Sequence, residues 1–120
     1  MFTLLEEKRL VTAGSMLADI TSTDFNTLTI VSFTIACVAT SGTPVGDLEL
    51  EIEMEEGSGT FFPHTITGIT AAGTTIFEIL DPSGFRYRIF FDFTSGTGTL
   101  DVFLAARVHK RGGDPAGEVL

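Results

Sequence analysis

The stretch Phe85 to Val108, FRYRIFFDFTSGTGTLDVFLAARV, constrains the fold more than any other part of the chain. Phe85, Tyr87, Ile89, Phe91 and Phe93 alternate with Arg86, Arg88, Phe90, Asp92 and Thr94. After Ser95-Gly96-Thr97-Gly98 the alternation resumes with Leu100, Val102, Leu104, Ala106 and Val108 on one side. A period of two belongs to β-strands, and two such runs joined by a short Gly-rich loop predict an antiparallel hairpin. With Thr94 facing Thr99, Phe93/Leu100, Phe91/Val102, Ile89/Leu104 and Tyr87/Ala106 pair inward. A slip of one residue would turn that whole apolar set outward, so the face each strand buries is well specified.

The outward side of the same register is unusual. Phe90 falls opposite Phe103, Asp92 opposite Asp101 and Arg86 opposite Arg107. Like charges directly opposite are unfavourable on an isolated sheet, and paired exposed phenylalanines invite a partner. Either a second layer covers this face or it is an oligomer interface. On the interface reading Phe90 and Phe103 are anchors, and Arg86, Arg88 and Arg107 pair across subunits. A shared cation at Asp92 and Asp101 is a further option.

The rest of the chain repeats the strand signature. Met16 to Ile20 reads as a short strand and Thr27 to Val38 as a long one. In the long one the apolar phase changes near Ile30-Val31, which predicts a β-bulge or burial on both faces. Asp47 to Glu55 alternates Leu48, Leu50, Ile52 and Met54 with Glu49, Glu51, Glu53 and Glu55, predicting a solvated acidic face. Thr60 to Thr70 contains Pro63, which restricts it to an edge or a bend. Phe61 and Phe62 cannot both face one core, so one is expected at an interface. Thr74 to Leu80 completes the set. About eight short strands at a spacing of roughly 8–12 residues, without a helical stretch, predict an all-β antiparallel sandwich of jelly-roll or immunoglobulin-like kind, with jelly-roll-like the reading taken forward. Residues 1–14 read as an N-terminal arm or edge strand, 15–109 as the sandwich and 110–120 as a flexible tail.

Composition narrows the function. The 120 residues carry a net charge of −9, which argues against general nucleic-acid binding. Eleven Phe with one Tyr and no Trp want a core or a subunit interface, since Phe has no polar handle. Mean hydropathy is +0.33, yet the longest nearly apolar run, Leu28 to Ala39, falls short of the roughly 18 residues of a membrane helix. No secretory leader is legible at MFTLLEEKRL, which leads to an expectation of folding in a reducing cytoplasm. The single cysteine, Cys37, lies in the apolar set of its strand and reads as a buried small hydrophobe.

A search for chemistry finds none. His64 and His109 sit in no metal-ligand spacing, SGTGT lacks the ending of a phosphate loop, and no hydroxyl or thiol has an evident base. No enzyme activity and no cofactor are therefore expected.

The order of features is familiar as a whole. A polar turn at Ser22-Thr23-Asp24 precedes a Thr/Val/Ile strand. A Gly42-Thr43-Pro44 turn, an alternating strand and an Ala71-Ala72-Gly73 turn follow. The chain then ends on FRYRIFF (Phe85 to Phe91) and SGTGTLDVFLAAR (Ser95 to Arg107). Over roughly residues 15–110 this resembles the small β-sandwich decoration, or cement, proteins of tailed-bacteriophage capsids. The resemblance implies a virion location on the capsid exterior, a homotrimer, the major capsid protein as partner and no catalytic residue. The contacts expected on that basis are Arg86, Arg88, Phe90, Phe103 and Arg107 between subunits, and Met1, Phe2, Thr3, Leu4 and Leu5 toward the capsid. A tail, neck or baseplate component is the alternative. A carbohydrate-binding module is a third reading, weakened by the lack of Trp and by Tyr87 being predicted inward.

Overall fold

The computed structural model describes residues 2–110, and the side chains of residues 5–109. Nine strands and no helix are present among them: β1 (Phe2–Ser15), β2 (Ile20–Thr21), β3 (Phe25–Asn26), β4 (Ile30–Thr40), β5 (Val45–Glu53), β6 (Phe61–Ile69), β7 (Gly73–Leu80), β8 (Arg86–Ser95) and β9 (Thr99–Lys110). They form two antiparallel sheets. The first has the order β1-β9-β4-β7, and the second β2-β8-β5-β6, with β3 also on β8.

Counting β2 and β3 as one interrupted strand leaves eight. Their pairings then nest: β1 with β9, β2/β3 with β8, β4 with β7 and β5 with β6. That is a long hairpin of strand pairs wrapped into two layers, the jelly-roll arrangement. The expected all-β, jelly-roll-like sandwich is the observed fold.

The core lies between the layers and is built from the residues whose period marked them. Ile89 and Phe91 from β8 and Leu48 and Leu50 from β5 face Leu100, Val102, Leu104, Ala106 and Val108 of β9 and Phe33, Ile35 and Cys37 of β4, all buried. At one end Phe25, Phe33 and Tyr87 tie three strands together, with ring centroids 5.1–6.0 Å apart. The Tyr87 hydroxyl accepts a hydrogen bond from Gly84 N at 2.9 Å, so its polar tip is satisfied inside. Burying such side chains contributes roughly 1.5–3 kcal/mol each, which is why period-two patterning dominates the outcome.

One expectation is overturned. β8 and β9 do not form a hairpin: they belong to different sheets, and their inward residues meet face to face across the core. Both are central strands. β8 is bonded to β2 and β3 on one side and to β5 on the other, and β9 to β1 and β4, so neither has an edge left for the other. Residues 96–98 carry the chain from one layer to the next. Gly96 makes this corner with φ 90°, against the backbone of Thr43 and Pro44. Gly98 O accepts a hydrogen bond from Met16 N at 2.9 Å.

Smaller differences have local causes. Residues 2–15 form one edge strand, so Met16, expected to open a strand, instead lies buried just past the end of β1. The expected irregularity near Ile30-Val31 is a register shift against β9 between Ile30 and Ser32. The alternation predicted through Glu55 breaks at Ile52: Glu53 is buried and Met54 is exposed, as the chain leaves β5 for the 54–60 loop. Pro63 lies on β6, an edge strand, where its missing N–H costs no ladder bond on the open side. The tail predicted at 110–120 falls outside the described residues beyond Lys110.

Candidate functional site

Among the described residues, the charged side chains gather on the outer faces of the two sheets. On the second sheet, β5 and β8 run side by side and set up a ladder. Glu53 is opposite Arg86, Glu51 opposite Arg88, Glu49 opposite Phe90 and Asp47 opposite Asp92. The first two rungs are ion pairs. Arg88 Nε lies 2.6 Å from Glu51 Oε1, and its guanidinium stacks 3.9 Å from the centre of the Phe61 ring. Arg86 reaches Glu53 at 3.8 Å and Asp24 at 3.4 Å. Glu53, 3% exposed, also accepts a hydrogen bond from Gly59 N at 2.8 Å through Oε2, which folds the 54–60 loop back over it.

The far rungs are uncompensated. Asp47 and Asp92 face each other, with Glu49 beside them. The carboxyl of Glu49 is raised above its ordinary range, first by partial burial and then by the charges of Asp92, Glu51 and Asp47. One end of this face is thus ion-paired and aromatic, and the other is acidic. Among the described residues no group of three or more His, Cys, Asp or Glu side chains is arranged to hold a metal ion.

The first sheet differs. Its outer face has small residues down the centre (Ser32, Thr34, Ala36 and Ala105) and larger apolar ones around them (Leu5, Phe103, Ile76 and Leu80). An open depression of about 520 Å³ lies between Glu7, Arg9, Phe103, Thr34 and Ala36. Arg9 lies across the Phe103 ring at 4.0 Å and bonds Asp101 Oδ1 at 3.2 Å. Asp101 also accepts a hydrogen bond from Ala13 N at 2.8 Å, holding the bulged part of β1.

These positions separate the residues expected to act together. Arg86, Arg88 and Phe90 are on the outer face of the second sheet, whereas Phe103 and Arg107 are on the outer face of the first. Phe90 therefore does not lie opposite Phe103, nor Asp92 opposite Asp101, nor Arg86 opposite Arg107. The cause is the sheet-crossing corner at Gly96. Arg86 and Arg88 are also engaged with carboxylates of their own chain. Phe103, Phe62 and Leu5 are exposed, at 38%, 55% and 66%. Of the expected capsid contacts, Met1 lies outside the described residues, and Phe2, Thr3 and Leu4 are placed only as backbone of β1. The outer faces of β7 and β1, with Ile76, Leu80 and Arg9, were not singled out from sequence, because in GTTIFEIL both faces are apolar around Glu78 and the period marks no outer side.

Cys37 is buried, and burial pushes its thiol up to about 12, so it is an inert core residue. No helix among the described residues is long and apolar enough to cross a membrane.

Comparison with known proteins adds one finding. No family profile and no curated protein matches the chain. Among solved structures, the chain is similar to the SPBc2 prophage-derived protein YomS, with a TM-score of 0.64 and 12% sequence identity. The similarity covers 89% of this chain and 96% of that one. At that identity the likeness is one of fold.

Proposed function

We propose that this chain is a structural protein of a phage virion. It binds the outer surface of the capsid, stabilises it by bridging neighbouring major capsid protein subunits, and catalyses nothing. The observation that carries this reading is the fold shared with a prophage-derived protein over 89% of this chain and 96% of that one. The sequence resemblance to decoration proteins supports it, as do outer faces carrying exposed Leu5 and Phe103. The carbohydrate-binding reading loses its last platform, because Tyr87 is buried at 3% exposure. Self-association belongs to the proposal. The resemblance implies threes, whereas the edge geometry argued below favours a two-fold pair.

The test is co-sedimentation of the purified protein with phage heads assembled without it. Saturable binding, with heads made more resistant to heat or osmotic shock, is the expected result. Binding to isolated tails instead of heads would move the protein to a tail, neck or baseplate role. Binding to neither would refute the reading.

A further inference from the structure

Four borders limit the two sheets, and three of them are blocked against pairing. β1 is broken by two register shifts against β9, between Arg9 and Val11 and between Val11 and Gly14, and carries the Glu6-Glu7-Lys8-Arg9 charge cluster. β6 has Pro63 and a shift opposite Leu48/Glu49. On the far side of the second sheet, β2 and β3 are two-residue pieces with an irregular segment between them. Bulges, prolines, charges and short strands are how sheet edges avoid pairing with other chains.

β7 has none of these. It runs eight residues, GTTIFEIL, in unbroken register with β4 from Leu80 to Gly73. Its other side is open. It contains no proline and one charge, Glu78. Ile76 and Leu80 stand 66% and 69% exposed on the outer face, and Phe77 and Ile79 pack partly against the core.

We propose that β7 is a self-association edge, pairing antiparallel with β7 of a second copy about a two-fold axis through Ile76. A two-fold contact must be self-complementary, and the sequence selects the register. Centring on Glu78 sets two carboxylates opposite each other, and centring on Phe77 sets Glu78 against Ile76. Centring on Ile76 sets Ile76 on Ile76, Thr74 on Glu78 and Thr75 on Phe77, with no like charges opposed. The outer face supports the same centre. Phe103, Ala36 and Ile76 lie in one row across β9, β4 and β7, an apolar row that stops at the open edge in a single copy. The two-fold continues it into Ile76, Ala36 and Phe103 of the second copy. The two four-stranded sheets become one of eight.

The experiment is sedimentation velocity over a concentration series on the full chain, with two variants. Wild type is expected at twice 12.8 kDa. Ile76→Lys places two ammonium groups on the axis and is expected to raise the dissociation constant about tenfold or more, with an unchanged far-UV spectrum. Ile76→Cys is expected to oxidise to a covalent dimer. Directly opposite Cα atoms in an antiparallel pair lie about 4.5–5.5 Å apart, within the roughly 4.4–6.8 Å of a disulfide. Thr74→Cys is the control: it faces Glu78, is far from its own copy, and should stay reduced. A wild type that is monomeric or trimeric at all concentrations overturns the proposal. So does a dimer indifferent to Ile76→Lys. Should Ile76→Lys unfold, equal cross-linking at positions 74 and 76 would overturn it by itself.

Discussion

The corner at Gly96 can be tested by one substitution and one control. Gly96 has φ 90°, and Gly57, in the 54–60 loop, has φ 75°, so alanine at either site suffers left-handed backbone strain of about 1–2 kcal/mol. At Gly57 an added Cβ meets nothing within 4 Å, and the strain is the whole cost. At Gly96 the Cβ would collide with the Thr43 carbonyl oxygen, with Thr43 C at 3.0 Å and Pro44 Cα at 3.4 Å behind it. These are backbone atoms fixed by a buried proline and the start of β5, so relief requires moving the chain. Overpacking of that kind costs about 1–3 kcal/mol more. Gly96→Ala is therefore expected to lose about 2–5 kcal/mol, a large share of the roughly 5–15 kcal/mol that holds a typical domain together. Urea unfolding followed by far-UV circular dichroism suits a chain without Trp. At about 1–3 kcal/mol per molar urea, the two variants should differ in midpoint by about 1 M. Were the 96–98 segment an exposed hairpin loop, both would lose the same amount. Agreement between them within about 0.5 kcal/mol would refute the sheet-crossing corner.

Three further outcomes follow from the outer faces and the core. A double-mutant cycle on Glu51 and Arg88, whose side chains are 14% and 30% exposed, should give a coupling of about 1 kcal/mol. The more exposed Arg9–Asp101 pair should give less, and the reverse order would contradict the packing described. Glu49→Gln should stabilise the protein at neutral pH. Its folded carboxyl is raised above the unfolded value, so the penalty is absent below the unfolded pKa and grows as pH rises through the folded one. Urea midpoints should show that gain shrinking to nothing below about pH 4, and a pH-independent gain would be evidence against its electrostatic origin. Native Cys37 should resist thiol reagents at pH 8, reacting only as fast as the domain opens; rapid labelling of the folded state would contradict its burial.

Which residues would be buried was largely legible in the sequence, and which strands would be neighbours was not. Period-two alternation reports a face, and Tyr87 to Phe91 and Leu100 to Val108 turned the same way whether their strands paired side by side or across the core. The Ser95 to Gly98 loop is compatible with either connection. Only closure of both β8 and β9 by other strands decides between them, and no local signal carries that. The same gap explains the candidate contacts. Once β8 and β9 separate, Phe90 and Phe103 part with them, and Arg86 and Arg88 find carboxylates on β5 that lie far away in sequence. Glu53 was misread because its burial depends on Gly59 and the loop that closes over it. The bulge at Ile30 was readable because a phase change within one strand is a local event.

The proposed place on the outside of a phage head is tested most directly by immunogold electron microscopy of purified particles of the source virus. Label over the head surface is the predicted result. Label confined to the tail would contradict the capsid role while keeping a virion one. No label on any particle would contradict the account as a whole.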